Sequence, residues 1–414
     1  MLLASERDRF PGSSLVINRY LDQLILLLVA GILFIDSING FILYNGISTL
    51  SISQIYKSIL TILFMARICL RKDADVFYLY LFALALLSVL LIQYSYNSNS
   101  GMLVKKIVLA AKFFQLPVSY VYFKLISREF KSKTLEVIIY VALGLLLFNL
   151  LLTFLGFGYF TYNHVKIGAR GLLFSGNEIS GLYIVLVSVV LYNSHKKTKK
   201  YIYVAFISML LSLYIASKTA MIGTAFLTVF IPISRKAKLK VKHVLRIGVV
   251  FVLAAIGAYA VYLIFVNSPQ YERLLFFIGK GGNLLYAMLS SRDKFLAEDF
   301  GQYWRSGLDV MLFGHDYTET VEMDFFDSLF NYGFFGTVII YSMVLYIFYR
   351  SYLAMKQGRY YGKLCFIINT LAFSTSFVAG HLLYSAMINV YLGLVNALCF
   401  VEKGKDLSIS DSNN

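Results

Sequence analysis

The chain has 414 residues, 59% of them hydrophobic and 14% charged. A soluble globular domain carries about 45–50% apolar and about 25% charged residues, so an ordinary soluble fold is excluded. The net charge of +16 invites a nucleic-acid partner, but the basic residues sit in short clusters between long apolar blocks, which excludes that class as well.

Roughly 20 apolar residues in a helix cross the hydrocarbon core of a bilayer. In chain order the blocks are Leu21–Ile38, Ile52–Leu70, Val76–Tyr94, Met102–Ile126, Thr134–Phe157, Ile179–Tyr192, Ile202–Ala216, Thr219–Ile233, Ile247–Val266, Asp327–Tyr349, Leu364–Ala379 and Leu382–Phe400. They predict an all-α polytopic membrane protein with about twelve transmembrane helices, one transmembrane domain over residues 1–414. No strand periodicity of the kind a membrane barrel needs is visible. Basic clusters at Arg71-Lys72, Arg128 to Lys133, Lys196 to Lys200, Arg235 to Arg246, Arg350 to Lys363 and Lys403-Lys405 fall in every second loop. The positive-inside rule places these loops and both termini in the cytoplasm. The charged N-terminus lacks a cleavage pattern, so the first block is expected to stay as an anchor. Cys69, Cys365 and Cys399 lie near the cytoplasmic ends of predicted helices, where neither a disulfide nor a metal cluster is expected.

Two segments on the external side are not lipid-like. The first, about 158–178, holds Arg170 and Glu178 among glycines before a membrane helix. Arg170 either snorkels or pairs with Glu178, or its guanidinium grips an anion through paired donors. Lys218 occupies the tight external turn Ser217-Lys218-Thr219-Ala220 and is either simply solvated or a second basic point. The other segment, about 267–326, is the large external loop. There Leu296, Phe300, Trp304, Leu308 and Leu312 recur every four residues, with Arg292, Asp293, Lys294, Glu298, Asp299, Arg305 and Asp309 among and beside them. This stripe predicts a helix lying flat on the outer surface or packed over the bundle. Gly314 and His315 follow, then Glu319, Glu322, Asp324 and Asp327 crowd a helix start. Part of that crowd is ordinary capping. Charged residues within the apolar blocks, Asp36, Lys57, Lys105, Lys106 and Lys112, are the groups a carrier would use.

These segments resemble the O-antigen and capsular polysaccharide polymerase (Wzy-type) family, which is related to the O-antigen ligases. Three motifs carry the resemblance across most of the chain. Arg170 is followed after ten residues by Gly181; Ser217-Lys218-Thr219-Ala220 matches a family turn; and Ser291-Arg292, Trp304, Gly314, Glu322 to Asp327 and Gly333 to Gly336 keep the family's order. In one departure, Arg305 reaches Gly314 after only eight intervening residues. In the other, the ligase-like histidine is missing from the last helix entrance. The resemblance implies a glycosyltransferase joining undecaprenyl-diphosphate-linked oligosaccharide repeat units at the outer face of a bacterial cytoplasmic membrane. Arg170, Lys218, Arg292 and Arg305 would bind the diphosphate, and His315, Glu322 or Asp324 would serve as base. It implies no cofactor and no metal. The expected partners are the lipid-linked saccharide, membrane lipid, a flippase and a chain-length regulator, and no nucleic acid. The alternatives are a ligase-type transferase and a flippase of lipid-linked saccharide.

Overall fold

The structure, a computed structural model, describes residues 13–48, 51–69, 73–97, 100–127, 129–162, 166–233, 279, 292–314, 321–380 and 382–401. The elements in chain order are α1 (Ser13–Tyr44), α2 (Ile52–Ile68), α3 (Ala74–Asn97), α4 (Ser100–Ile126), α5 (Ser132–Phe154), β1 (Tyr159–Tyr162), β2 (Ile167–Gly171), α6 (Gly176–Ser194), α7 (Thr198–Ile215) and α8 (Lys218–Phe230). They continue with α9 (Arg292–Arg305), α10 (Leu308–Phe313), α11 (Asp324–Lys356), α12 (Gly362–Thr375) and α13 (Ala386–Ala397). Eleven of the twelve apolar blocks coincide with these helices; Ile247–Val266 lies outside the described residues.

Among the described residues, six helices are long and apolar enough to cross a membrane: Asn18–Tyr44, Ala74–Tyr96, Ser132–Phe154, Gly176–Ser194, Thr198–Ile215 and Asp324–Lys356. Their surfaces fit that reading. On α1, Leu24, Leu27 and Phe34 are exposed, and on α3 so are Phe77, Leu81, Leu84 and Leu87. Water does not tolerate apolar faces of this extent without a partner, and lipid supplies one. The helices also bond their own backbone groups, as a segment in hydrocarbon must.

The bundle has two ends. At one, called here the hairpin end, the C-termini of α1, α3, α5 and α7 meet the N-termini of α2, α4, α6, α8, α11 and α13. Ser53 at the start of α2 donates its backbone N–H to Asn39 near the end of α1 (3.2 Å). Gln93 near the end of α3 donates to Asn331 O of α11 (2.8 Å). Asn389 of α13 reaches Lys112 O of α4 (2.8 Å). α13 then runs parallel to α4, with Ser119 Oγ donating to Asn389 O (3.0 Å).

The opposite end is closed by buried ion pairs. Arg67 of α2 grips Asp22 of α1 through Nε and Nη2, with Nη2 at 2.9 Å, and Tyr122 of α4 also donates to Asp22 (3.2 Å). Lys124 of α4 pairs with Asp75 of α3, which also receives Arg350 of α11 at 3.4 Å. Arg67, Asp22, Lys124 and Asp75 are all buried.

One strand pair was absent from the sequence reading. β1 and β2 form an antiparallel hairpin with Tyr159 opposite Gly171 and Tyr162 opposite Ile167. Arg170 therefore stands on a strand, not at a helix entrance. The hairpin is hooked to α5: Thr153 Oγ1 accepts from Gly171 N (2.8 Å) and Asn149 Oδ1 from Leu172 N (3.1 Å).

Removing one partner of a buried pair leaves an uncompensated charge, which costs about 3–5 kcal/mol. Arg67→Ala is expected to lower the thermal unfolding midpoint of the purified protein sharply. Lys294→Ala breaks an exposed helix-surface pair with Glu298 (3.8 Å), worth about 1 kcal/mol or less, and is expected to leave the midpoint nearly unchanged.

Candidate functional site

The residues singled out in the sequence fall into two groups at the hairpin end. The first is built around Arg170. Its Nη1 donates to Phe174 O at 2.6 Å, so its hydrogen bond goes to the backbone and not to Glu178. The guanidinium carbon lies 5.5 Å from the Tyr44 ring centroid and 5.6 Å from that of Tyr159. Those two rings are themselves in contact, and Asn45 Nδ2 holds the Tyr159 hydroxyl at 2.9 Å. Burial pulls the Arg170 pKa down, while the Tyr44 and Tyr159 phenols work in the opposite direction; an arginine keeps its charge in proteins regardless. Its Nε is buried and has no hydrogen-bond partner among the described residues. A buried N–H without an acceptor is costly, and an anionic oxygen would satisfy it.

Lys218 follows the turn that the same hairpin contacts. Ile215 O accepts from Thr161 of β1 (3.1 Å), Ala216 turns the chain in the left-handed region (φ 57°), and exposed Lys218 begins α8.

The second group surrounds the start of α11. Arg292 at the head of α9 pairs with Glu322 at 2.6 Å, the two side chains being 20% and 43% exposed. Glu322 has φ 60°, an unusual conformation for a residue other than glycine. Asp324 and Asp327 are buried and occupied by backbone amides. Asp324 Oδ2 accepts from Leu382 N (3.0 Å) and Leu383 N (2.7 Å). Asp327 accepts from Val321 N (2.8 Å) and Met323 N (3.1 Å). Arg305, exposed at the end of α9, borders an apolar groove with Leu296, Phe300, Trp304 and Phe326. His315 and Glu319 lie outside the described residues.

A chain of packing joins the two groups. Gly181, separated from Arg170 by ten residues in the spaced motif, sits on α6 where a Cβ would come within 2.6 Å of Ile388 Cδ1 and 3.4 Å of Leu382 Cδ1. Leu382 is also the residue whose amide Asp324 holds. The lack of a side chain at Gly181 lets the helix that follows the Arg170 strand approach the segment clamped by Asp324.

α11 itself is broken. Gly333 has φ 67° and ψ −172° inside the helix, and its backbone lies against that of Gly314 (φ 87°), so that a Cβ on either would strike the other's chain. Only glycine accepts both the positive φ and the approach. The break frees Asn331 O, which accepts from Gln93 Nε2 and from buried Lys106 Nζ at 3.2 Å. Lys106, which the sequence offered as a carrier charge, thus closes a half-helix. The residues that reasoning from sequence missed are Tyr44, Asn45 and Tyr159 around Arg170, Asn149 and Thr153 under the hairpin, and Gln93 at the break. Asn149 and Thr153 did carry a signal: two polar residues at i, i+4 on an otherwise apolar helix.

Comparison with protein-family models finds no match, and comparison with curated proteins finds none either.

Asp324→Ala leaves two buried amides unpaired, at about 1–3 kcal/mol each, and is expected to lower the unfolding midpoint. Glu322→Gln breaks only a partly exposed pair and is expected to cost about 1 kcal/mol or less. Equal losses in the two variants would show that the amide clamp holds this end no more firmly than the ion pair does.

Proposed function

We propose that the protein is a bacterial cytoplasmic-membrane glycosyltransferase that joins undecaprenyl-diphosphate-linked oligosaccharide repeat units into O-antigen, capsular or exopolysaccharide. In this reading about twelve helices cross the membrane, the hairpin end faces outward and the ion-pair end faces the cytoplasm. The basic clusters support that orientation, since Lys196 to Lys200 and Arg350 to Lys363 border the ion-pair end.

The observation that carries the reading is Arg170. A half-buried guanidinium is seated over two tyrosine rings with one N–H lacking an acceptor among the described residues, which suits a diphosphate oxygen in paired geometry. In the reaction the bond between the donor's anomeric carbon and its diphosphate breaks, and the acceptor hydroxyl oxygen forms the new glycosidic bond. The electron pair leaves with the lipid diphosphate, whose charge Arg170 and Lys218 balance. The hydroxyl proton passes to a base. Glu322 is accessible and held by Arg292, and His315 stands in the same segment. Asp324, committed to two amides, is assigned to shape this mouth and not to take the proton.

The pairing of charges weighs against a carrier. Asp36 is bound to Lys57 at 2.8 Å, Lys106 caps the broken helix, and the opposite end is shut by two buried ion-pair groups. A flippase would have to open that end in every cycle, exposing those charges one by one.

The test is chain formation from purified lipid-linked repeat units. Arg170→Ala is expected to abolish long chains and Arg170→Lys to restore part, since lysine keeps the charge and loses the fork. Glu322→Gln is expected to slow polymerisation roughly 100- to 10,000-fold with donor binding retained. Wild-type chains from Arg170→Ala would remove the anion site.

A further inference from the structure

α9 buries only part of its apolar surface. At about 100° per residue, Tyr303, Leu296, Phe300 and Trp304 fall in one sector in that angular order, interrupted only at the first turn by Asp293, which lies between Phe300 and Trp304. Its first half faces the bundle: Tyr303 is buried and, with Leu296, packs on Val321, Met323 and Phe330, the Tyr303 and Phe330 rings lying 5.6 Å apart. Its second half faces away. Phe300 stacks on Trp304 at 6.1 Å, and Trp304 is 66% exposed, as Leu308 is at 70%. Phe300 and Trp304 line a groove of about 840 Å³ that runs between α9 and Phe326. The far side of the helix carries Lys294, Glu298, Gln302 and Arg305, with Phe295 exposed beside Gln302.

We propose that the uncovered half of this sector lies in the bilayer leaflet on the hairpin side, at the boundary between headgroups and acyl chains. Three observations select lipid as the occupant. The ridge is continuous with the exposed apolar surface of α11: Phe313 of α10 meets Phe335 at 5.5 Å, and Phe334 and Phe335 are exposed just beyond the Gly333 break. α9 is not among the helices apolar enough to cross a membrane, so lipid contact must be lateral, along one side of the helix. Its polar sector begins where the ridge ends, with Arg305 on the rim of the groove, within reach of lipid phosphates. A helix with such an apolar sector and a charged face rests about 5–10 Å into the headgroup and acyl boundary, the depth that tryptophan prefers. Seated so, α9 fixes the height of Arg292 and hence of Glu322 above the acyl chains. The inference needs a membrane around the bundle and does not depend on the reading as a polymerase.

Trp304 is the one tryptophan in the chain, so its emission reports this face without background. The full-length protein is placed in phosphatidylcholine vesicles whose acyl chains are brominated either near the headgroup or near the chain end. Trp304 is expected to lose most of its emission to shallow bromines, less to deep ones, and little to aqueous acrylamide. In the variant Trp304→Phe with Gln302→Trp, the probe moves to the polar side, and acrylamide is expected to quench it more than brominated lipid does. Quenching of Trp304 by acrylamide alone would put the face in water. Quenching by neither would show it covered by another part of the chain or a second copy. Stronger quenching by deep bromines, or equal lipid quenching at positions 302 and 304, would put the helix within the membrane. Each of these four results overturns the proposal.

Discussion

Two carboxylates one helical turn apart, Asp324 and Asp327, accept hydrogen bonds from four backbone amides, those of Leu382, Leu383, Val321 and Met323. The bonds tie together the approach to α11, its first turn and the segment leading into α13. In a medium without water, every such amide must find an acceptor inside the protein, and a carboxylate buried without donors would be untenable. Each group meets the other's need. The arrangement fixes where the chain enters α11, and with it the conformation of Glu322, which lies between the two bonded amides of the loop. Gly380 lies against the Glu322 backbone as well, so this residue is held from both sides. The candidate site is built on that clamp.

From there the geometry extends in two directions. Toward α3 and α4, the break at Gly333 leaves carbonyls that Gln93 and Lys106 satisfy, so irregular backbone occurs where protein donors can meet it. Toward α6, Leu382 touches the position of Gly181 and leads back to the hairpin that bears Arg170. Polar and irregular structure is concentrated at one end of the bundle, and paired charge closes the other. A catalyst that receives both substrates from one side of a membrane needs this asymmetry; a carrier needs two ends that can open in turn.

The helices were legible because hydrophobic blocks of membrane length leave few alternatives, and eleven of them appear where the sequence places them. The hairpin was not legible. Its strands are four and five residues long and show no alternation; they exist because Asn149 and Thr153 offer acceptors at the end of α5. The amphipathic stripe from Leu296 to Leu312 reads as one helix, yet the chain breaks at Ser306 and Gly307. The exposed ridge and the packed face then divide that stripe between them. The acidic crowd shows the limit most clearly. Glu322, Asp324 and Asp327 look alike in sequence, and what separates them is the position of amides that in the case of Asp324 lie 58 residues away. Periodicity finds elements; it does not find which carboxylate meets a distant backbone donor. Arg170 was found by its surroundings of glycine, but its tyrosine seat comes from α1 and β1, which only the fold brings together.

The most direct measurement is reconstitution of the purified wild-type protein in liposomes with a single kind of undecaprenyl-diphosphate-linked repeat unit, followed by analysis of the products by size. The account predicts a ladder of saccharides differing by one repeat unit, with one undecaprenyl diphosphate released for each bond formed. Repeat units that cross the bilayer but stay single, with no diphosphate lipid released, would contradict it and identify a carrier instead.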